Sequence, residues 1–518
     1  MNSDRLERRK KDFKKGIDSD ECRQRRGDEA VRIRKDKRTD RLEKKRCDQI
    51  VIGSDLPPLL GDESDIVDPI ENDILNKEVK NIYSTDPVVA LSGLINVRKF
   101  STRGHDKYVE ILFGLSITNK LVEYLTYDNY PDHQYEAAWI LTNLTAGRSQ
   151  IAQAIIDHSM IGPHLLKLLR ETKNIKLRNQ VIWCLGNITG EHKKYRNIII
   201  EQGGFDLLLR ILDSEIGYEK RDIDAVRTQI WTLSNLLRCS DVPFVHLMRS
   251  IPVIQKVLAQ CDDNEVVQDA LWSLYYLSER QGNSEELSVF VNIGFIKPSF
   301  LCFLTIGSYS TPVLKLLGNL AAGTDYTTQA VLDGGFLQYV SRLLEVGNSG
   351  KLREICWILS NIAAGTQEQA QTLIDSKILP KIIHILKKER WEIKKECIYI
   401  FSNMVGSKNP EHVDYIFNIG AIKALCDTMS LARECPKTIK TILNAIYNIL
   451  DTGRNTHKFL EYVTQVEEYG LDHIEDFQNH PNQQVYEKSV AIIDEFFGEE
   501  SAEMTINMEI DSNARFNF

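Results

Sequence analysis

The residues of this chain best suited to chemistry are tryptophans followed four positions later by asparagine: Trp139/Asn143, Trp183/Asn187, Trp231/Asn235 and Trp357/Asn361. Variants of the pair fill the gaps, as Trp272/Tyr276, Lys315/Asn319 and Tyr399/Asn403. An asparagine side chain offers one acceptor and two donors. It can therefore hold the N–H and C=O groups of an extended peptide without reading its side chains. Parallel indoles form slots with π-rich walls that suit the stems and cationic heads of lysine and arginine, a contact worth about 0.5–2 kcal/mol depending on desolvation. A single Trp at such spacing is more often core packing. Six asparagines at one phase of apolar helices would be costly to bury unpaired, which points to a solvent-facing groove. The chemistry implied is capture of a basic, extended peptide.

The first members of these pairs step by 44, 48, 41, 43, 42 and 42 residues, a period in the range of armadillo-type helical repeats. Positions i and i+4 share a helix face, so stacked repeats align the pairs along one wall. The expected fold class is all-α: an armadillo-repeat, right-handed superhelical solenoid of about ten repeats over residues 75–497. Glycines punctuate it. Gly147, Gly190, Gly323 and Gly365 fall just after the Asn helices, where a left-handed C-cap is expected, and Gly203-Gly204 and Gly334-Gly335 precede apolar helices.

Charge is segregated. Residues 1–46 carry 19 bases and 11 acids, a net of +8, whereas the remaining 45 bases and 62 acids give −17. The second half of this arm has almost no large apolar side chains, so it is expected to order only on a partner. Residues 47–74, with Pro57, Pro58 and many acids, read as a flexible acidic linker, and 498–518 as a polar tail. Basic arms often bind nucleic acid, but here the acidic body repels phosphate and an acidic protein is the better partner. No apolar run approaches the roughly 18 residues of a membrane span, and no secretory signal is evident. The ten cysteines lack CxxC or Cys/His ligand spacing and read as small buried hydrophobes in a reducing compartment. No phosphate loop, metal spacing or activated nucleophile supports catalysis or a cofactor. An armadillo scaffold of the catenin type would share the fold but present a basic groove to acidic ligands.

The segment from Arg5 to Arg46 resembles the importin-β-binding arm of the importin-α (karyopherin-α) nuclear-import adaptors. The groove motifs EAAWILTNLTAG (from Glu136), WCLGNITG (from Trp183), WTLSNLLR (from Trp231), LGNLAAGTD (from Leu317) and WILSNIAAGT (from Trp357) are similar too, as are Tyr276 and Lys315 at the two irregular rungs. The resemblance implies a major site for nuclear localisation signals at Trp139, Asn143, Gly147, Gln180, Trp183, Asn187, Glu191, Trp231 and Asn235. It implies a minor site at Lys315, Asn319, Asp325, Thr328, Glu354, Trp357, Asn361, Glu396, Tyr399 and Asn403. Importin-β would be held through Arg5, Arg8, Arg9, Lys10, Lys11, Phe13, Arg23, Arg25, Arg26, Arg32, Arg34, Lys35, Lys37 and Arg38, and Lys44, Lys45 and Arg46 would form an autoinhibitory cluster. Partners implied are importin-β, cargo proteins with basic signals and a nuclear export receptor at the C-terminal repeats, with shuttling between cytoplasm and nucleus. Two positions depart from the family pattern: Ala152 stands where Thr is usual, and Tyr399 where Trp is usual.

Overall fold

The computed structural model describes residues 69–103, 105–238, 244–279, 286–432, 435–454 and 456–498. The basic arm 1–46 with its Lys44-Lys45-Arg46 cluster, and the expected tail after Gly498, lie outside the described residues. Every regular element among the described residues is a helix, and these helices form two compact units, within 69–279 and within 286–498.

The first unit opens with α1 (Pro69–Ile82) and α2 (Pro87–Arg103). Three triplets follow: α3 (His105–Gly114), α4 (Thr118–Tyr124) and α5 (Pro131–Ala146); α6 (Ser149–Ser159), α7 (Ile161–Glu171) and α8 (Ile175–Glu191); α9 (Lys193–Glu201), α10 (Gly204–Ile216) and α11 (Ile223–Leu237). The pair α12 (Phe244–Gln260) and α13 (Asn264–Ser278) completes it. The last helix of each repeat packs on that of the next, α2 on α5, α5 on α8, α8 on α11 and α11 on α13. These helices form the spine of the unit, and residues such as Leu141, Leu144, Leu185, Ile188, Leu233 and Leu236 are buried along it.

The second unit repeats the plan. It contains α14 (Ser288–Asn292), α15 (Pro298–Leu301), α16 (Ser310–Ala321), α17 (Asp325–Asp333), α18 (Phe336–Val346), α19 (Ser349–Ala363), α20 (Gln367–Asp375), α21 (Leu379–Lys388) and α22 (Trp391–Val405). It continues through α23 (Pro410–Asn418), α24 (Ala421–Cys426), α25 (Pro436–Gly453), α26 (Phe459–Asp476) and α27 (Gln483–Phe496). Its spine is α16 on α19, α19 on α22, α22 on α25 and α25 on α27.

Local sequence sets where the spine helices begin. Asn174, Asp222, Asp263 and Asn348 each cap one through a side-chain oxygen that accepts backbone N–H groups of the first turn. Each cap contributes about 1 kcal/mol. Pro131 occupies the first turn of α5, where its missing N–H costs nothing. The described cysteines are all free; Cys184, Cys261, Cys356, Cys397 and Cys426 are buried, Cys302 is exposed and Cys435 half-buried. Burial pushes the Cys184 thiol up to about 12.

Two expectations are corrected. The acidic linker was expected to reach residue 74, but α1 already starts at Pro69, a favoured first helical residue. None of the four glycines expected as left-handed C-caps has that conformation: Gly147 is extended, Gly190 lies inside α8, and positive φ among the described glycines is confined to Gly203, Gly294, Gly335 and Gly420. Space explains Gly323 and Gly365 instead. A Cβ there would stand 2.6 Å from Thr327 Oγ1 and 2.0 Å from Gln369 Oε1, in the first turn of the following helix.

Candidate peptide-binding site

The spine helices carry the ladder. In the first unit α5 bears Trp139 and Asn143, α8 bears Gln180, Trp183, Asn187 and Glu191, α11 bears Trp231 and Asn235, and α13 bears Trp272 and Tyr276. In the second, α16 bears Lys315 and Asn319, α19 bears Glu354, Trp357 and Asn361, and α22 bears Glu396, Tyr399 and Asn403. Asp325 and Thr328 lie on α17.

Five of the six asparagines are buried, and Asn319 is half-buried. Asn143, Asn187, Asn235, Asn361 and Asn403 are 1–3% exposed, and the Nδ2 of each donates within the fold. Asn187 donates to the Thr142 carbonyl at 3.0 Å, Asn235 to the Gly186 carbonyl at 3.0 Å and Asn403 to the Ser360 carbonyl at 2.8 Å. Each of these carbonyls belongs to the residue just before the preceding repeat's asparagine. Asn143 donates to Ser101 Oγ at 2.9 Å, and Asn361 to the Trp357 carbonyl of its own helix at 3.0 Å. The expectation of an open groove rested on burial leaving these amides unpaired; pairing offsets the cost of burying them. Asn143, Asn187, Asn235 and Asn403 thus stitch their helices to the preceding repeat, whereas Asn361 bonds within its own helix.

Two of the indoles, Trp231 and Trp357, are seated against a glycine of the preceding repeat. Trp139, Trp183 and Trp357 are half-buried, whereas Trp231 and Trp272 are 4% and 5% exposed. A Cβ on Gly186 would lie 2.2 Å from Trp231 Cζ3, and one on Gly318 would lie 2.2 Å from Trp357 Cζ3. Glycine immediately before Asn187 and before Asn319 is the seat on which the next indole rests. That Gly-Asn dipeptide was the sequence signal for it, and sequence reasoning missed it. Trp272 packs with Tyr276 at 6.0 Å and with Tyr275 at 5.7 Å, which makes this rung an aromatic cluster within the unit.

Two of the acids have partners on other helices. Glu191 Oε1 accepts from the Ser149 hydroxyl and from Gln153 Nε2 at 3.3 Å, both on α6. Ala152 is fully buried between those two positions in sequence. Glu354 pairs with Lys315 Nζ at 3.2 Å, and Arg353 lies 3.9 Å away. Glu396 and Tyr399 are each 8% exposed, and burial pushes the Tyr399 hydroxyl well above its usual range. Two expected ligand groups are engaged in the scaffold. Gln180 Nε2 donates to Thr142 Oγ1 at 2.7 Å, and the buried Thr328 hydroxyl meets the Ala321 and Thr324 carbonyls at 3.0 and 2.9 Å. The Asp325 carbonyl accepts from Gln369 Nε2 at 2.9 Å, and Gly147 is the C-cap of α5.

One constellation was not anticipated. The Arg98 guanidinium of α2 lies over the Trp139 ring, 4.3 Å from its centroid, and its Nε pairs with Glu136. Tyr135 meets the same indole edge-on at 5.6 Å. Burial raises the pKa of the Glu136 carboxyl, opposed by Arg98. Arg98 precedes Trp139 by 41 residues and so occupies the Trp phase of the first repeat, which a search for Trp and Asn alone passes over. Among the described residues no cluster of His, Cys, Asp and Glu is arranged to hold a metal, and no helix is long and apolar enough to cross a membrane.

Stacked helical repeats with an indole and a carboxamide at a constant phase define an armadillo-type repeat protein. A profile of an atypical Arm repeat matches residues 460–511, and a profile of the importin-beta-binding domain matches residues 9–95, running past the basic arm into α2. The chain is 30% identical over 514 residues to importin subunit alpha-1b of Oryza sativa subsp. japonica, covering 96% of this chain and 93% of the relative. It is 33% identical over 515 residues to importin subunit alpha-3 of Arabidopsis thaliana, covering 97% and 94%. Among solved structures, that of an engineered protein superposes with a TM-score of 0.70 over 82% of this chain and 99% of that one, at 19% identity, a likeness of fold. The chain belongs to the importin-alpha family, the adaptors of nuclear import.

Proposed function

We propose that this protein is the adaptor that captures Lys/Arg-rich nuclear localisation signals on the ladder of its spine helices and couples them, through the basic arm, to importin-β. The observation that carries this reading is Arg98: within the fold itself, a guanidinium rests on a ladder indole and pairs with an acid three residues before it. The same phase relation, an acid three residues before an aromatic, recurs at Glu354/Trp357 and Glu396/Tyr399. The major site comprises the rungs of α5, α8 and α11 with Glu191, and the minor site those of α16, α19 and α22. The cargo main chain meets the asparagine rungs, and its basic side chains meet indoles and acids. The arm matching the importin-beta-binding profile gives the link to the transport receptor, and shuttling between cytoplasm and nucleus with a separate export receptor follows from the adaptor role. No cofactor enters, and the body of net charge −17 disfavours nucleic acid as ligand.

Titration of the full chain with a basic signal peptide tests the reading. Trp183→Ala combined with Asn187→Ala is expected to reduce affinity sharply and to leave helicity nearly intact. Because Asn187 also bonds the Thr142 carbonyl, a stability loss of about 1–3 kcal/mol accompanies it. Wild-type affinity should fall with added salt, since charge pairs are screened over roughly 8–10 Å near physiological ionic strength. Equal affinity in wild type and double variant would sink the site.

A further inference from the structure

Arg98 is held in place by more than its side chain. Its carbonyl accepts from the Ser101 and Thr102 hydroxyls, each at 2.9 Å, and those same hydroxyls receive the Asn143 amide at 2.9 and 3.3 Å. Backbone, ladder asparagine and guanidinium belong to one network. The Arg98 and Glu136 side chains are only 12% and 11% exposed, and the guanidinium lies against Trp139. Indole face plus carboxylate is the set of contacts by which the groove is read to hold a basic residue of a signal. The chain has filled one such slot with its own arginine. The second unit has a counterpart in Lys315, also at the Trp phase, which pairs with Glu354 three residues before Trp357.

We propose that Arg98 is an internal ligand that closes the repeat-one end of the groove and so limits how many basic residues a signal can dock. The proposal rests on the reading of the ladder as a signal site. With Arg98 present, a cationic side chain approaching that face of Trp139 meets a like charge and an acid already neutralised. Without it, the indole face and the Glu136 carboxylate become one further slot for lysine or arginine.

The test uses the full chain, its Arg98→Ala variant and three synthetic peptides: a basic Lys/Arg peptide, the same peptide with one arginine added at its N-terminus, and the same with one added at its C-terminus. For each protein the affinity of a longer peptide is divided by that of the shorter. General attraction of the added charge to the acidic body enters both proteins and cancels when the ratios are compared. For one of the two longer peptides the ratio should be roughly five- to tenfold higher in Arg98→Ala than in wild type, the size of one new cation–π and carboxylate contact. For the other peptide the proteins should agree. Arg98→Lys, which keeps the charge and the stem, should stay near wild type. Should Arg98→Ala lose helicity, Arg98→Gln carries the same comparison. Equal ratios in wild type and variant for both longer peptides overturn the proposal. Failure of the shorter peptide to bind wild type refutes the groove itself, a separate result that also ends the proposal.

Discussion

Replacing Gly186 by alanine should destabilise this protein, against the usual sign of such a change. In an exposed helix interior, glycine to alanine gains about 0.8–1.0 kcal/mol from backbone entropy. At Gly186, which lies within α8, the new Cβ would stand 2.2 Å from Trp231 Cζ3, 2.8 Å from Trp231 Cε3 and 2.6 Å from Thr232 Oγ1. Ordinary carbon contacts are about 3.5–4.0 Å, so the rigid indole must retreat by roughly 1.5 Å. It has little room, being 4% exposed, and Thr232 is tethered by its hydroxyl to the Thr228 carbonyl at 2.8 Å. The Asn235 amide also bonds the Gly186 carbonyl, so moving α11 strains that stitch. Overpacking of this kind costs about 1–3 kcal/mol and should outweigh the propensity gain. Urea unfolding followed by far-UV circular dichroism reads the result, with Gly114→Ala as control because nothing lies within 4 Å of a Cβ there. The control should be neutral or stabilising, and Gly186→Ala should lower the midpoint and weaken signal-peptide binding by displacing Trp231. A Gly186→Ala protein as stable as the control would refute the seating of the indole.

Other expectations are independent of this one. Deleting residues 1–46, or changing Lys44, Lys45 and Arg46 to alanine, should raise affinity for a monopartite signal peptide, because a tethered basic cluster competes at high effective concentration. Added importin-β should raise it only when the arm is present, and equal binding by full and truncated chains in low salt would rule out self-inhibition. Burial lowers the pKa of His412, whose Nε2 lies 3.0 Å from Gln371 Oε1, while Glu411 and Asp375 oppose the shift. The unfolded chain then takes up the proton more readily, so stability is full above about pH 6.5 and declines as pH falls below it. Melting temperatures measured from about pH 7.5 to about pH 5.5 should drop less in His412→Gln than in wild type; parallel curves would remove His412 as the cause.

The repeat period, the helical class, the pairing of Trp with Asn and the basic arm were all legible in the sequence. Each is a local or periodic property: a 3.6-residue pattern shows which positions share a face, and a step of 41–48 residues shows which helices correspond. The Asn and Asp caps of α8, α11, α13 and α19 act within one turn and could be read the same way. What lies opposite each side chain was not legible, because that depends on contacts between residues about forty positions apart. Sequence reasoning gave the asparagines to a ligand, whereas Asn143, Asn187, Asn235, Asn361 and Asn403 donate inside the fold. It gave the glycines after the Asn helices a conformational role, whereas Gly323 and Gly365 are there for space and Gly186 and Gly318 are the seats of the next indoles. It gave Trp139 an open slot, whereas Arg98 stands over that ring. Periodicity specifies which residues recur on a face; only the packing of one repeat on the next decides which of their donors, faces and charges are already engaged.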